Sequence, residues 1–446
     1  MSASSGIAGS LAAGRDDRPI AHWLGGIVFR PLQILVSAPD LWFLAALLAM
    51  LFRPPDLHFY DLDRIAFGLL VMGVLLRALV LRQSLRVYGR LTLPLLGLLL
   101  LALASLAAQS YQAESWSMFA AKWVVPFALY HLAGLAFEDE VALRRFEIFS
   151  LLVLAYLTII AILFLINAGS LIFPAFIADP NIGIHADRAR GPFLQAVANG
   201  VTLNLLGLLA LDGYRRRRLR GFAALLLVSA LPLAVLATKT RAVWLSFALS
   251  VLAVLFFSSS SRMRRACLCL VVAGALGLLG TLTFDDLDRS LQSRLQERSP
   301  VAFRFAMYRA GWEMLLEKPL LGWGAEQMQS QLERRISDFH DDEFFFHNTY
   351  LEIGVEYGAL GLALYACVIA GLFRLGRLPR GATASREGVF LDRGFRPLWP
   401  LLVGVYLLNG CFVVLNYQFV NGLVFTLAGI LEAQNRRVKG GVPCGS

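Results

Sequence analysis

Charge is scarce in these 446 residues: Asp, Glu, Lys and Arg make up 16%, against 57% hydrophobic residues and a mean hydropathy of +0.63. That balance excludes a disordered chain and a soluble α/β enzyme. The short alternating segments of a membrane barrel are also missing, and the apolar content falls instead in runs of about 17–25 residues, the length that crosses hydrocarbon as a helix. The first 30 residues carry Arg15, Arg18 and Arg30 but no apolar core ending in a small-residue cleavage site. No removable signal peptide is therefore expected. Of the five cysteines, Cys267, Cys269, Cys367 and Cys411 lie inside apolar runs and Cys444 in the tail, which leaves no pair in an exposed loop for a structural disulfide. The net charge of +10 is not gathered into a patch with interleaved aromatics, so it does not point to nucleic acid. An internal repeat with paired interrupted helices, the mark of many secondary transporters, is absent as well.

What is present reads as an all-α integral membrane protein of about twelve transmembrane helices. The apolar runs cover residues 32–52, 64–81, 91–108, 119–137, 148–167, 195–211, 221–237, 241–258, 266–283, 348–373, 397–415 and 419–433. With the N-terminus inside, the inside segments hold 25 Lys and Arg, including the run Arg215 to Arg218, and the outside segments hold 14. Arg77 and Lys122 lie within spans. This bias orients both termini to the cytoplasm. The organisation is then a cytoplasmic segment 1–31, a transmembrane domain 32–433 and a cytoplasmic tail 434–446. A long outer loop, 284–347, falls between the ninth and tenth runs, with helical signals at Ala302 to Glu317 and Glu326 to Ser337 around a turn at Lys318-Pro319 and Gly322-Trp323-Gly324.

Four basic residues sit at outer membrane edges against the charge bias: Arg188, Arg190, Lys239 and Arg241. A planar guanidinium in that position suits a lipid phosphate or pyrophosphate, although an interfacial anchor uses the same residues. The long loop adds Arg304 and Arg309, on a segment that by itself reads first as a solvated face of an interfacial helix. At the start of the tenth run stands Phe344-Phe-Phe-His347-Asn-Thr-Tyr-Leu-Glu352-Ile-Gly354-Val-Glu356-Tyr-Gly358-Ala-Leu-Gly361. The aromatic belt fixes His347 at headgroup depth, and Asn348, Glu352 and Glu356 share one helical face. Gly354 and Gly358 would let a neighbouring helix approach closely. The acidic stretches Asp61 to Asp63, Asp286 to Asp288 and Asp341 to Glu343 read as solvated faces, so no metal is expected.

His-Asn-x-Tyr-Leu followed by Glu-x-Gly-x-x-Gly resembles the signature of the O-antigen ligase and polymerase superfamily of bacterial envelope glycosyltransferases. Arg190-Gly-Pro-Phe193, Thr238-Lys-Thr-Arg241, Arg304 with Tyr308 and Lys318-Pro-Leu-Leu-Gly-Trp-Gly324 follow the family's order and spacing over most of the chain. The resemblance implies an inner-membrane, inverting, metal-independent transferase without cofactor, taking a glycan from undecaprenyl pyrophosphate to an acceptor hydroxyl at the periplasmic face. The acceptor would be lipid A-core for a ligase, another lipid-linked glycan for a polymerase, or a protein side chain. On that reading His347 is the base, Arg241 and Arg304 act on the leaving pyrophosphate, and Arg188, Arg190, Lys239 and Arg309 help bind it. Asn348 and Glu356 orient the tenth helix. The competing class is a transporter or flippase with Arg77, Lys122 and Glu352 as pathway charges.

Overall fold

The computed structural model describes residues 36–53, 62–80, 88–183, 185–282, 299–336, 346–377 and 390–439. Among these residues there are helices and no strands. In chain order the helices are α1 Pro39–Leu51, α2 Leu62–Val80, α3 Thr92–Ala107, α4 Ala113–Ala136, α5 Glu140–Leu165, α6 Ala196–Arg215 and α7 Gly221–Ala237. There follow α8 Arg241–Phe257, α9 Ser261–Leu282, α10 Ser299–Glu317, α11 Ala325–Arg335, α12 Thr349–Leu375, α13 Trp399–Gly410 and α14 Gln418–Lys439.

Each apolar run of the sequence coincides with a helix, but not every helix qualifies as a span. Among the described residues, four are by length and composition able to cross a membrane: α4, α5, α6 and α12. Five more, α1, α3, α7, α8 and α13, are apolar but only 10–17 residues long. Apolar side chains such as Phe222, Ile159, Leu79 and Phe257 point outward around the bundle. A surface of that kind belongs in lipid.

The centre is α6, which is buried along almost its whole length and packs against α5, α7, α8, α9 and α13. Small residues permit this crowding: a Cβ on Gly207 would meet Leu231 of α7 at 2.8 Å. Its polar groups find partners inside the bundle. Asn204 donates to Ser246 Oγ at 2.8 Å, and Asn409 of α13 donates to the same hydroxyl at 3.0 Å, so one buried hydroxyl joins α6, α8 and α13. At its far end Arg216, 1% exposed, bridges Asp212 at 2.7 Å and Glu147 of α5 at 2.6 Å. Arg215 pairs with Asp212 and with Asp392. Part of the basic run thus ties helices together.

Chain direction places the functional residues. The N-terminal ends of α6, α8 and α12 lie at one end of the bundle, with Arg190, Arg241 and His347, and Arg215, Phe257 and Leu375 lie at the other. The two helical signals of the long loop are α10 and α11, which form a small core of their own with Met307, Met314, Met328, Leu332, Phe346 and Val355.

Candidate functional site

Helix α12 begins with a polar cap. Asn348 Oδ1 accepts from the backbone N–H of Tyr350 and of Leu351, both at 3.0 Å, and so satisfies two donors of the first turn. His347 immediately before it has φ +49°, a left-handed backbone that a non-glycine residue adopts only when its surroundings hold it there. They do so from two sides. Tyr308 of α10 donates its hydroxyl to Cys411 O at 3.3 Å and reaches His347 O at 3.5 Å. Thr349 donates to Val413 O at 2.8 Å and accepts from Leu415 N at 3.0 Å. The imidazole lies edge-on to Phe303, with ring centroids 6.5 Å apart. Burial, and then the nearby positive charge of Arg304, lower the His347 pKa below its usual value of 6.5. The ring is therefore neutral at pH 7, the form that accepts a proton.

Of the six basic candidates, the structure sorts three kinds. Arg190 is fully buried, and its guanidinium donates to Ile177 O at 2.9 Å and to the carbonyls of Asp179 and Ile182. Its five-donor fork thus gathers the 175–182 turn. Arg309 is largely exposed and pairs with Glu313 one turn on, at 3.1 Å. Lys239 stands 3.6 Å from Asp187, while Ala189 N–H donates to Ala237 O at 3.0 Å, so the Arg188 loop is laid against the α7–α8 turn. Arg241 opens α8 and is exposed, and Arg304 faces His347; neither has a carboxylate partner among the described residues.

Below the cap, Glu352 and Glu356 point at one cation. Lys122 Nζ contacts Glu352 and lies 3.3 Å from Glu356, with all three side chains nearly buried. Tyr357 donates to Glu356 at 2.6 Å, and Trp123 Nε1 donates to the Tyr357 hydroxyl at 3.3 Å. The reach of Lys122 comes from a π-turn at Ala120–Val124 within α4. Such turns rotate one side chain out of helical register and recur at functional positions. Beside the triad is a cavity of about 30 Å³ bounded by Tyr365, Tyr406 and Asn421, room for roughly one or two waters. Glu352, weighed above as a pathway charge, and Lys122 are thus each other's partners.

Gly358 has a different role from the one its spacing suggested. It carries φ +65° and ψ −162° and interrupts α12, and what comes nearest to it is the backbone of Leu320 and Leu321 in the turn after α10. The exposed groups of the break are taken up by the 319–324 turn. Trp323 N–H donates to Val355 O and Gly324 N–H to Glu356 O, both at 2.9 Å. Ala359 N–H donates to Pro319 O at 2.7 Å and Leu360 N–H to Leu320 O at 3.3 Å. Trp323 is held in turn by Met314 O at 2.9 Å and by Lys318, whose Nζ lies 3.9 Å from the indole centroid. Three glycines at positive φ, at 322, 324 and 358, were the sequence signal for this pairing.

The acidic triplets fall largely outside the described residues, as do all of residues 1–31, 283–298 and 337–345. Asp63, which is described, pairs with Arg53 at 2.6 Å. Arg77 lies 4.0 Å from Glu138.

A bundle of apolar helices is that of a membrane protein, and at one of its ends Arg241 and Arg304, without carboxylate partners among the described residues, lie with a neutral histidine. Residues 222–366, about a third of the chain, match the family model described as O-antigen ligase, so this stretch is similar to that family of membrane enzymes. That stretch runs from α7 through the break in α12 and includes Arg241, Arg304, His347 and Glu356. No curated protein matches the chain at a significant level.

Proposed function

We propose that this protein is an O-antigen ligase, moving a glycan from undecaprenyl pyrophosphate to a hydroxyl of lipid A-core at the periplasmic face of the bacterial inner membrane. The observation that carries the reading is the juxtaposition at the head of α12: an imidazole kept neutral by burial, beside a guanidinium that has no carboxylate partner among the described residues. The acceptor hydroxyl attacks the anomeric carbon, the bond from that carbon to the phosphate oxygen breaks, and the electron pair leaves on the pyrophosphate. His347 takes the acceptor proton, and Arg304 with Arg241 meets the charge that develops on the leaving group. One displacement inverts the anomeric centre. Lys239 and Arg188 border the same end and extend the anion-binding rim, whereas Arg190 shapes the loop that carries Arg188. Two guanidinium groups supply the charge, so the reaction needs no divalent ion.

A transporter reading loses support from the Lys122–Glu352–Glu356 triad, since pathway charges must be open to a substrate and these three are closed on one another. The test is transfer by purified protein in detergent with EDTA, using lipid-linked glycan and lipid A-core. Wild type should transfer, and His347→Ala should be slower by roughly 100-fold or more while remaining monodisperse. Elongation of the lipid-linked glycan with no product on lipid A-core would establish a polymerase. Absence of any transfer, or dependence on added Mg²⁺, would overturn the mechanism.

A further inference from the structure

At the end of the bundle opposite His347 a cavity of about 630 Å³ opens between the C-terminal end of α8, the start of α9 and the entry to α13. Its size lies in the range of small-molecule sites, about 300–1,000 Å³. The lining is divided. Ala253, Val254, Phe257, Leu398 and Leu401 form an apolar wall, and Ser258 to Ser260 with Arg393 form a polar mouth. Phe257 is 87% exposed, so the apolar wall continues directly onto the surface that belongs in lipid.

The charged part of the lining is mostly basic, with Arg215, Arg216 and Arg393 against Asp392. Arg215 and Arg216 are consumed by Asp212, Glu147 and Asp392. Arg393 in the lining has no carboxylate partner among the described residues, and Arg217, Arg218, Arg220, Arg262, Arg264 and Arg265 stand within a few residues of the lining in sequence. The lining itself thus carries three arginines against one carboxylate, beside a wall that is apolar on its membrane side. Basic pockets between membrane helices with that division of lining recognise the head group of an acidic lipid.

We infer that this cavity binds one anionic glycerophospholipid from the adjacent leaflet, its phosphate at Ser259 and Arg393 and the upper part of an acyl chain along Phe257 and Leu401. The juxtaposition of an unpaired arginine with an apolar wall open to the bilayer distinguishes such a lipid from free phosphate, which has no use for the wall, and from a zwitterionic lipid, which gains less from the charge.

The experiment uses full-length protein purified in detergent and titrated with phosphatidylglycerol, phosphatidylcholine or inorganic phosphate, with bound lipid read by native mass spectrometry. Phosphatidylglycerol should be retained preferentially. Arg393→Gln should weaken its retention about fivefold, the equivalent of about 1 kcal/mol for one basic residue near the membrane surface. Ala253→Trp, which fills the apolar wall, should abolish retention. Arg218→Gln, close in sequence but outside the lining, should change it less than twofold. Equal retention of the two lipids, equal loss in Arg218→Gln and Arg393→Gln, or occupancy by inorganic phosphate unaffected by Ala253→Trp would overturn the assignment. Thermal unfolding of each variant separates a lost site from a misfolded protein.

Discussion

Removing the ammonium of Lys122 would leave two carboxylates facing each other inside α12. In Lys122→Met the side-chain volume is nearly kept, but Glu352 and Glu356, 5% and 4% exposed, lose the cation that they share. Breaking a buried pair by removing one partner costs about 3–5 kcal/mol, because the remaining charge has neither water nor counterion. Here Tyr357 still donates to Glu356 at 2.6 Å, which offsets part of the loss and places the expectation near the lower bound, about 3 kcal/mol. At roughly 2 °C per kcal/mol for a chain of this size, the apparent Tm should fall by on the order of 5 °C. The assay is thermal unfolding of detergent-solubilised protein, followed by intrinsic fluorescence and by gel filtration after heating. The partner variant supplies the control: Lys122→Met with Glu352→Gln should recover much of the loss, since the repulsion is gone. A single variant as stable as wild type, or a double variant no better than the single, would refute the view that the triad locks the π-turn of α4 to α12.

Other expectations concern the rim of the site and the break. Because His347 is held below its usual pKa, kcat/KM should stay level as pH falls to about 6.5 and decline only in more acid buffer; Arg304→Gln should move that inflection upward, as measured by a pH profile of transfer. Gly358→Ala places a Cβ 2.7 Å from Leu321 N at a backbone conformation essentially reserved for glycine. A loss of about 2 kcal/mol or more is expected, and an unchanged Tm would show that the break relaxes without cost. Arg190→Lys keeps the charge but cannot reach three carbonyls, so the 175–182 turn should become sensitive to limited proteolysis. Arg241→Lys should slow transfer without that change.

The helices were legible because bilayer thickness imposes long apolar runs, and each run marks a helix. Their ends were less so where a polar turn extends them. The run read as 148–167 is α5, which begins at Glu140 because Asp139 caps it, accepting from Ala142 N–H at 2.6 Å. His347 with Asn348 stood out through spacing and depth, and the cap of α12 is local enough to be read from adjacent residues. Lys122 was visible as a costly charge, but its partners lie 230 and 234 positions away, and the π-turn that aims it has no pattern of its own. Arg190 shows the same limit. An arginine at a membrane edge suits a phosphate, and only the folded 175–182 turn reveals three carbonyls converging on it.

The backbone pairing between Pro319–Gly324 and the break at Gly358 also bears on re-engineering of this protein. The hairpin α10–α11 is joined to α12 by four main-chain bonds that no side-chain exchange would preserve or destroy by identity alone. Its small core takes in Phe346 and Val355 from the α12 side. A chimera that imports the α10–α11 segment of a relative and stops before His347 would separate two halves of one unit. The natural cassette runs from Ser299 to Leu360, so a change of acceptor achieved by loop exchange should carry the histidine, its cap and the helix break together.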